Sequence, residues 1–251
     1  TTTLYAVMHI LNKPEVNIAT IEDPIEYEMP RINQTQVNVK ANITFANGLR
    51  SLLRQDPNII MVGEIRDNET ASLAINAALT GHLVLSTLHT NSAAGAIPRL
   101  IDMKVEPFLI ASTVTAIISQ RLVRRLCPEH ETYKLTADQI GSLKKDLDFE
   151  RILEILKKEK VVDPNMTLEN MEWGKPKKAD ECPDGYKGRR GIHEVLEVTE
   201  SIKAMVVKNA TSDEIEKQAK KDGMATMLED GFIKAVEGKT TIEEVLRVSS
   251  E

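Results

Sequence analysis

Short, continuously apolar runs alternate with helical segments through the first half of the 251-residue chain. The clearest run is NIIMVG at 58–63, which a glycine ends, and HLVLST at 82–87 is a second. Runs that are apolar throughout are typical of strands buried on both faces of a parallel sheet. Together with the β-branched VNIATI at 16–21, they predict an α/β fold with a mainly parallel sheet.

Helical periodicity fills the segments between and after these strands, and TQVNV at 35–39 alternates as a short strand would. The predicted helices lie at 2–12, 44–55, 69–80, 92–103 and 106 to about 122. We expect the carboxyl-terminal part to be mostly helical as well.

The charge and composition of the chain limit its partners. The net charge is -6 and only 4% of the residues are aromatic, so aliphatic side chains must build the core. An acidic chain is not expected to bind nucleic acid directly, although RLVRRL at 121–126 and KGRR at 187–190 are local basic clusters. No apolar run is long enough to span a bilayer, so we expect any link to a membrane to run through partner proteins.

Acidic and imidazole side chains follow three of the predicted strands. Glu22 and Asp23 come after the first, Glu64 after NIIMVG, and His89 after HLVLST. In open α/β sheets ligands bind beyond the carboxyl ends of the strands. A carboxylate directly after a buried strand is also the arrangement that holds magnesium, through water, against a nucleotide phosphate. The alternative for Glu64 is that it caps the next turn and pairs with Arg66.

The chain opens with TTTLYAVMHIL, a helical pattern that begins at its first residue. A P-loop ends in a lysine and a Ser or Thr at the start of a helix, and that hydroxyl binds magnesium. The opening resembles this helix, with Thr1 as the magnesium-binding hydroxyl, Thr2 beside the nucleotide, and the loop before residue 1. An ordinary helix with threonine caps is the alternative. Because the amides of such a loop supply most of the phosphate cradle, we expect little ATP hydrolysis from residues 1–251 alone.

Several motifs together resemble the secretion-superfamily ATPases of type II secretion and type IV pilus assembly. Three of them correspond to that family's Asp box, Walker B box and His box. The matching segments are IEDPIEY (21–27), LRQDPNIIMVGEIRD (53–67), TGHLVLSTLHTN (80–91), the run from Ala93 to Pro128, GYKGRRGIHEVL (185–196), and residues 223–248. The resemblance covers nearly the whole chain apart from a variable stretch near 131–181.

The resemblance implies a fold, an activity and a setting. The fold is a RecA-like P-loop NTPase core at 1–126, a small cysteine-bearing insert at 127–185, and a helical subdomain at 186–251. The activity is hydrolysis of ATP with Mg²⁺ by a homo-hexameric motor that drives pilin or pseudopilin assembly. The motor is cytoplasmic, peripheral to the inner membrane, and works on an inner-membrane platform protein.

Roles for individual residues follow from the same resemblance. Glu64 is in the Walker B position, where it contributes to the magnesium shell and polarises the attacking water. Glu22, Asp23 and Glu26 of the Asp box share that work, and the sequence does not say which is the base. His89 is placed nearer the γ-phosphate.

Two arginines and one further histidine each have both a catalytic and a structural interpretation. Arg54, with Arg50 four residues before it, could reach the phosphates or could pair with acidic neighbours at the surface. Surface pairing is the safer expectation for Arg50. For His82, at the start of its strand, a structural role is at least as well supported as a catalytic one.

The cysteines form half of a pattern found in assembly ATPases, which carry two C-x-x-C pairs that bind zinc. This chain keeps Cys127, His130 and Cys182 as candidate Zn²⁺ ligands, with Ala179 where a partner cysteine is expected. A degenerate, metal-free insert is the favoured alternative. Either form indicates the assembly or secretion branch, because the related retraction motors typically lack this insert.

Two other functions stay open at this point. A chain without a phosphate loop would be a non-hydrolysing scaffold subunit, and a DNA-transport or conjugation ATPase would belong to the same superfamily. The carboxylates and histidines at the strand ends favour the hydrolysing motor, because crowded carboxylates are costly to keep without a function. The acidic charge and the Cys127 region argue against DNA transport.

Overall fold

The computed structural model describes residues 1–249, which divide into two compact units. The first unit contains residues 1–117 and 197–218, and the second contains residues 118–196 and the chain from Ala219 onward. No helix within the described residues combines the length and the hydrophobicity needed to cross a bilayer.

A four-stranded parallel sheet forms the centre of the first unit. Its strand order is β2-β1-β3-β4. The strands are β1 (Ile18–Glu22), β2 (Ile32–Gln36), β3 (Ile59–Val62) and β4 (Leu83–Ser86). The helices are α1 (Thr2–Leu11), α2 (Phe45–Leu52), α3 (Asn68–Leu79), α4 (Ala96–Asp102), α5 (Pro107–Thr113) and α8 (Glu200–Val207), and α9 (Ser212–Lys221) begins in this unit and ends in the other. This arrangement confirms the predicted α/β class and the mainly parallel sheet.

The core of the first unit forms where the sequence is most continuously apolar. Every residue of β1 and β3 is buried. Side chains at two helix starts fix where the chain leaves the sheet. The Thr44 hydroxyl accepts a hydrogen bond from the N–H of Asn47, and Asp67 accepts one from the N–H of Thr70. The apolar run of each strand and the cap of the next helix therefore define the βα units.

The strand at 82–87 is less buried than predicted. β4 is an edge strand of the sheet, and Leu83 keeps 45% of its surface exposed. Its only partner within residues 1–249 is β3, so its outer side has no neighbouring strand there. An apolar run shows that a strand suits a buried position, but its neighbours decide how much of it is covered.

The prediction of a helix from 106 to about 122 is wrong beyond Thr113. Helix α5 ends there, and the chain continues as the long strand β5 (Ala116–Leu126), which pairs with β8 (Tyr186–Glu197). The residues VTAII at 114–118 are mostly β-branched and suit an extended backbone better than a helix. Residues 186–251 likewise begin with a strand before their helices.

The second unit packs helices against short strands. The remaining elements are β6 (Glu131–Lys134), α6 (Ala137–Asp146), α7 (Phe149–Lys158), β7 (Glu172–Lys175), α10 (Met227–Val236) and α11 (Ile242–Ser249). Strands β6 and β7 pair antiparallel. At the centre of the core, the Phe232 ring meets Phe149 and Trp173 edge to face, with ring centroids 5.5 Å and 5.8 Å apart. This aromatic contact joins α10 to α7 and β7.

A buried carboxylate connects helix α11 to strand β5. Glu244 is only 2% exposed and accepts hydrogen bonds from the Arg124 guanidinium at 2.7 Å, the Arg124 N–H at 2.9 Å and the Arg247 guanidinium at 3.0 Å. Burial raises the pKa of Glu244, but these hydrogen bonds outweigh it and lower that pKa to about 2. The ionised carboxylate therefore stabilises the second unit.

We expect Glu244→Gln to lower the free energy of unfolding at pH 7 by about 2 kcal/mol, because two charged hydrogen bonds lose their acceptor charge. Urea denaturation of the full-length protein measures this. The neighbouring Glu243 is exposed, and Glu243→Gln is the matched control, with an expected change below about 0.5 kcal/mol.

The same pair of proteins should show a specific pH dependence. The folded-state pKa of Glu244 lies below its ordinary value of 4.5, so its stabilisation is complete above that value and is lost as the pH falls towards 2. The stability difference between wild type and Glu244→Gln should therefore shrink over that range. A difference that stays constant from pH 7 to pH 2 would contradict the proposed role of the ionised carboxylate.

Candidate functional site

Three strand ends meet at one edge of the sheet in the first unit. The N–H of Gly63, just after β3, donates to the carbonyl of Ile21 in β1 at 2.8 Å. The N–H of Ile65 donates to the carbonyl of Thr87 at 3.0 Å, and the Thr87 hydroxyl donates to the carbonyl of Gly63 at 2.7 Å. These bonds join the segment after β3 to the end of β1 and to the segment after β4.

Gly63 allows two of these segments to approach closely. A Cβ atom at this position would lie 3.3 Å from the carbonyl oxygen of Ile21 and 3.4 Å from the Cα of Glu22. A side chain here would therefore crowd the backbone of β1. Close packing against β1 therefore explains why a glycine ends the apolar run, and this packing positions the backbone of the next residue, Glu64.

Glu64 is held between two basic side chains. It is 9% exposed, and its two carboxylate oxygens bind Nε2 of His89 at 2.9 Å and the guanidinium of Arg66 at 2.6 Å. Burial raises the pKa of Glu64, but the hydrogen bonds from His89 and Arg66 outweigh it and leave that pKa below its ordinary value. Glu64 is therefore ionised at neutral pH. Its pairing with Arg66, expected as an alternative role, coexists with its contact to His89.

Glu22 is even more buried and is held by neutral donors. It is 2% exposed, and its carboxylate accepts hydrogen bonds from the hydroxyls of Tyr5 and Thr20 and, at 3.1 Å, from the amide of Gln34. Burial and the contact with Glu22 raise the pKa of Tyr5 to about 12. The phenol therefore stays protonated and donates a hydrogen bond to the carboxylate of Glu22. The side chain of Glu22 is fixed by three elements: α1, β1 and β2.

Tyr5 is a site residue that the sequence analysis missed. Its hydroxyl also accepts a hydrogen bond from the N–H of Glu26 at 3.1 Å, and its ring stacks on Tyr27 with centroids 4.2 Å apart. Tyr5 thus ties the opening helix to the segment that follows β1. A buried tyrosine on the apolar face of a helix was the available signal, because a buried phenol usually finds a hydrogen-bond partner.

The other acidic residues of the segment after β1 have a different environment. Asp23 and Glu26 are both exposed, and the Asp23-Pro24 peptide bond is cis. The backbone of Glu26 is fixed by Tyr5, whereas its carboxylate lies at the surface. Of the three acidic residues predicted here, Glu22 alone is buried.

The two histidines have different partners in the structure. His89 contacts Glu64, while Nδ1 of His82 lies 2.9 Å from the carbonyl of Ala77 and 3.1 Å from the Thr80 hydroxyl. His82 therefore closes the end of helix α3. This local contact supports the structural interpretation of His82.

The two arginines before β3, Arg50 and Arg54, lie at the surface. Arg50 pairs with Glu69 at 2.5 Å, which confirms the expected surface pairing. Arg54 lies beyond the end of α2, and its guanidinium is 3.3 Å from the hydroxyl of Ser51. Arg54 is exposed, and the next two residues, Gln55 and Asp56, accept hydrogen bonds from the side chain of Asn17 just before β1. Arg54 therefore lies near the amino-terminal ends of the strands, and the structure does not bring it to Glu64.

The opening threonines begin helix α1. Thr1 precedes its first turn, and the carbonyl of Thr1 accepts a hydrogen bond from the N–H of Tyr5 at 3.1 Å. Thr1 and Thr2 are exposed, so their hydroxyls face solvent-accessible space at the start of the helix. Both interpretations require a threonine at this position, but the Thr1 side chain makes no cap hydrogen bond within residues 1–249, so the structure does not show the threonine cap.

The donor set at the strand ends suits magnesium held through water. Within residues 1–249, no three His, Cys, Asp or Glu side chains come together as a direct metal cage. Mg²⁺ usually keeps several waters and is bound by one or two carboxylates together with nucleotide phosphates. Glu64 meets this requirement because, among the described residues, one basic group contacts each of its oxygens, and a carboxylate oxygen can accept more than one hydrogen bond.

The predicted zinc ligands do not form a metal site. Cys127 and Cys182 are joined in a disulfide, so neither sulfur is available as the thiolate that zinc binds. Nδ1 of His130 lies 2.9 Å from the carbonyl of Cys127. The disulfide favours the metal-free insert over the zinc-binding one.

We expect His89→Ala to raise the pKa of Glu64 in the full-length protein, because burial then acts against one basic partner instead of two. Carbon-13 NMR of labelled glutamate carboxylates measures it, with Glu64→Gln assigning the resonance. His82→Ala, which removes a histidine without contact to Glu64, is the control. An unchanged pKa in His89→Ala would mean that the contact does not hold the charge of Glu64.

Comparison with known proteins places this site in a family. The family described as "Type II/IV secretion system protein" matches residues 1–247. The type II secretion system protein E of Xanthomonas campestris pv. campestris is 46% identical over 252 residues, covering all of this chain and 41% of that protein. The type IV pilus assembly ATPase PilB of Thermus thermophilus is 47% identical over 245 residues, covering 97% of this chain and 26% of PilB.

Solved structures show the same fold. The pilus retraction motor PilT with bound ADP has a TM-score of 0.66 and 25% identity, covering 100% of this chain and 57% of PilT. The Legionella pneumophila ATPase DotB has a TM-score of 0.63 at 22% identity, with 100% and 57% coverage, and supports the fold alone.

The extent of these matches differs between this chain and its relatives. The chain spans about half the length, or less, of the curated relatives that it matches. The family match nevertheless extends over almost every described residue, including the three strand ends that form the site. The chain belongs to the type II/IV secretion system protein family.

Proposed function

We propose that this chain contributes the residues that hydrolyse ATP in a motor of a type II secretion or type IV pilus system. The observation that carries the proposal is Glu64, an ionised carboxylate at the end of a buried strand, oriented by His89 and Arg66. The names of the relatives, protein E of type II secretion and the assembly ATPase PilB, support the class of machine.

The chemistry of phosphoryl transfer gives Glu64 its role. Transfer to water needs a correctly placed nucleophile and neutralisation of phosphate charge, with little covalent work by the protein. ATP with its magnesium ion supplies the reacting phosphoryl group and part of that neutralisation. Glu64, ionised because its pKa is lowered, would hold a water of a bound magnesium ion and would accept a hydrogen bond from the attacking water.

His89 and Arg66 position this carboxylate from the exposed side. Their side chains are 76% and 64% exposed, whereas that of Glu64 is 11% exposed. We propose that His89 turns towards the γ-phosphate when nucleotide is present, which leaves Glu64 with an open oxygen for water. The positive charge of Arg66, whose guanidinium contacts Glu64 at 2.6 Å, would then be available to phosphate oxygens, whereas Arg54 lies near the other edge of the sheet.

The remaining predicted residues keep supporting roles in this proposal. Glu22 orders the edge of the site through Tyr5, while Asp23 and Glu26 are exposed carboxylates after β1 that would help to hold a magnesium ion through water. Thr1 and Thr2 lie at the start of α1, where a hydroxyl can reach magnesium and backbone amides can meet phosphate.

Membership of this family also supports a proposal for the oligomeric state, the cellular location and the partner of the motor. We propose a homo-hexamer in the cytoplasm, peripheral to the inner membrane, that acts on a platform protein to assemble pilins or pseudopilins. Identity of 47% to an assembly ATPase, against 25% to a retraction motor, favours assembly over retraction.

Glu64→Gln in the full-length protein is the decisive variant. We expect nucleotide binding to stay nearly unchanged, because the substitution keeps the shape of the side chain, while ATP turnover falls by about 100-fold or more. Phosphate release under saturating ATP and equilibrium binding of a fluorescent ATP analogue measure the two quantities.

Glu69→Gln is the matched control, because Glu69 is an exposed glutamate on α3 whose partner is Arg50. Its turnover should equal that of the wild type. Unaltered turnover in Glu64→Gln would remove Glu64 from the mechanism. A full-length wild-type protein that binds no nucleotide would instead support the scaffold function.

A further inference from the structure

The hydroxyl of Tyr5 joins three segments of the first unit. Tyr5 is fully buried in α1, and its hydroxyl donates a hydrogen bond to the carboxylate of Glu22 at the end of β1. The same hydroxyl accepts a hydrogen bond from the N–H of Glu26 at 3.1 Å. A phenol has one proton to donate, so Glu22 uses its donor and Glu26 uses its acceptor. The side chain of Tyr5 therefore holds both the buried carboxylate and the backbone of the segment that follows it.

Gln34 in β2 holds the continuation of this segment. Its amide nitrogen donates to the carbonyl of Tyr27 at 3.2 Å and to Glu22 at 3.1 Å. Its amide oxygen accepts a hydrogen bond from the N–H of Met29 at 2.7 Å. We call residues 26–29 the Glu26 loop. Because side chains from two elements bond its backbone at three residues, the loop has a defined position relative to α1 and β2.

The place of Tyr5 in α1 links this loop to the start of the helix. The N–H of Tyr5 donates to the carbonyl of Thr1 at 3.1 Å, so Tyr5 closes the first helical turn. Its backbone thus lies one turn from Thr1, while its side chain reaches Glu26. Thr1 and Glu26 are distant in sequence, and both are candidate magnesium residues. One buried aromatic residue connects the two.

The carboxylate of Glu26 is open to a cation. Glu26 is exposed, and no ion pair within residues 1–249 involves it. Its backbone is held in place, whereas its charge has no basic partner among these residues. If Tyr5 served only to satisfy the buried Glu22, its hydroxyl would need no second hydrogen bond. The bond to the N–H of Glu26 is therefore the observation that points beyond a structural role.

We propose that Tyr5 is a positioning residue for magnesium, because its hydroxyl sets where the Glu26 carboxylate lies relative to the start of α1. Tyr5 itself touches neither metal nor nucleotide. Mg²⁺ requires near-ideal octahedral geometry, so its binding through water by groups of two segments depends on how firmly those segments are held. The inference rests on the proposed function, since it needs a nucleotide complex that takes up magnesium. It adds to that function a residue outside the three boxes.

The test is the affinity of the full-length protein for Mn²⁺ in the presence of a non-hydrolysable ATP analogue. Mn²⁺ replaces Mg²⁺, and electron paramagnetic resonance measures its free and bound fractions. Tyr5→Phe keeps the ring that stacks on Tyr27 and removes only the hydroxyl. We expect the Mn²⁺ affinity to fall about tenfold, as when an outer-shell hydrogen bond at a metal site is lost. Binding of the analogue without metal should stay nearly unchanged.

Tyr27→Phe is the matched control for this variant. It removes a hydroxyl from the other ring of the same stacked pair, and that ring is 53% exposed. The Mn²⁺ affinity of Tyr27→Phe should equal that of the wild type. An equal fall in both variants would contradict the specific role of the Tyr5 hydroxyl.

Glu26→Gln decides whether Tyr5 acts through Glu26. Glu26 is exposed, so this variant should fold normally, and its Mn²⁺ affinity should fall. Adding Tyr5→Phe to Glu26→Gln should then cost little more, because residues that act as one unit are not additive. A purely structural role of Tyr5 would lower the affinity by the same factor in both backgrounds, and that result would overturn the proposal. Wild-type affinity in Glu26→Gln would overturn it too, even if Tyr5→Phe were too unstable to measure.

Two outcomes separate the role of Tyr5 from the proposed function. If Glu64→Gln abolishes turnover while Tyr5→Phe binds Mn²⁺ as the wild type does, the proposed function stands and the role of Tyr5 is wrong. A wild-type protein that binds no nucleotide would contradict both.

Discussion

The parallel pairing of β1 with β3 determines where the two buried carboxylates of the site, Glu22 and Glu64, lie. Ile21 pairs with Val62 in the sheet register, so both strands end at the same level. The N–H of Gly63 extends that pairing by one hydrogen bond, and the next residue is Glu64. A slip of one residue would turn Glu22 to the opposite face of the sheet and separate it from its donors.

Contacts from outside the sheet then give this edge its chemical character. Helix α1 contributes the phenol of Tyr5 to Glu22, and the segment after β4 contributes the imidazole of His89 to Glu64. Each buried carboxylate is therefore held by an element distant from it in sequence. Because an unpaired buried charge is strongly unfavourable, these contacts stabilise the fold and organise the site at the same time.

The sequence predicted the features that depend on local pattern. The buried strands β1 and β3 follow from continuous apolar runs, and the polar residues at their ends follow from the chain direction of a parallel sheet. The resemblance in the Walker B and His boxes agrees with the family that the comparisons show.

Features that depend on distant neighbours were not predictable in this way. An apolar β-branched stretch near residue 116 suits a strand or a buried helix end, and pairing with β8 decides between them. The exposure of Leu83 depends on which strand flanks β4, which its own sequence does not encode. Cysteine spacing likewise allowed a metal site, whereas the structure bonds Cys127 to Cys182.

The partners of the two buried carboxylates explain why Glu64 is the better candidate for chemistry. Glu22 is held by hydroxyl and amide donors that are themselves packed in the sheet and in α1, so its environment is rigid. Glu64 is held by His89 and Arg66, whose side chains are mostly exposed and can move without disturbing the core. A carboxylate that is fixed at its base but has displaceable partners can exchange those partners for water and magnesium. Glu22 would have to break three internal hydrogen bonds to do the same, so its contribution is to position the edge on which Glu64 acts.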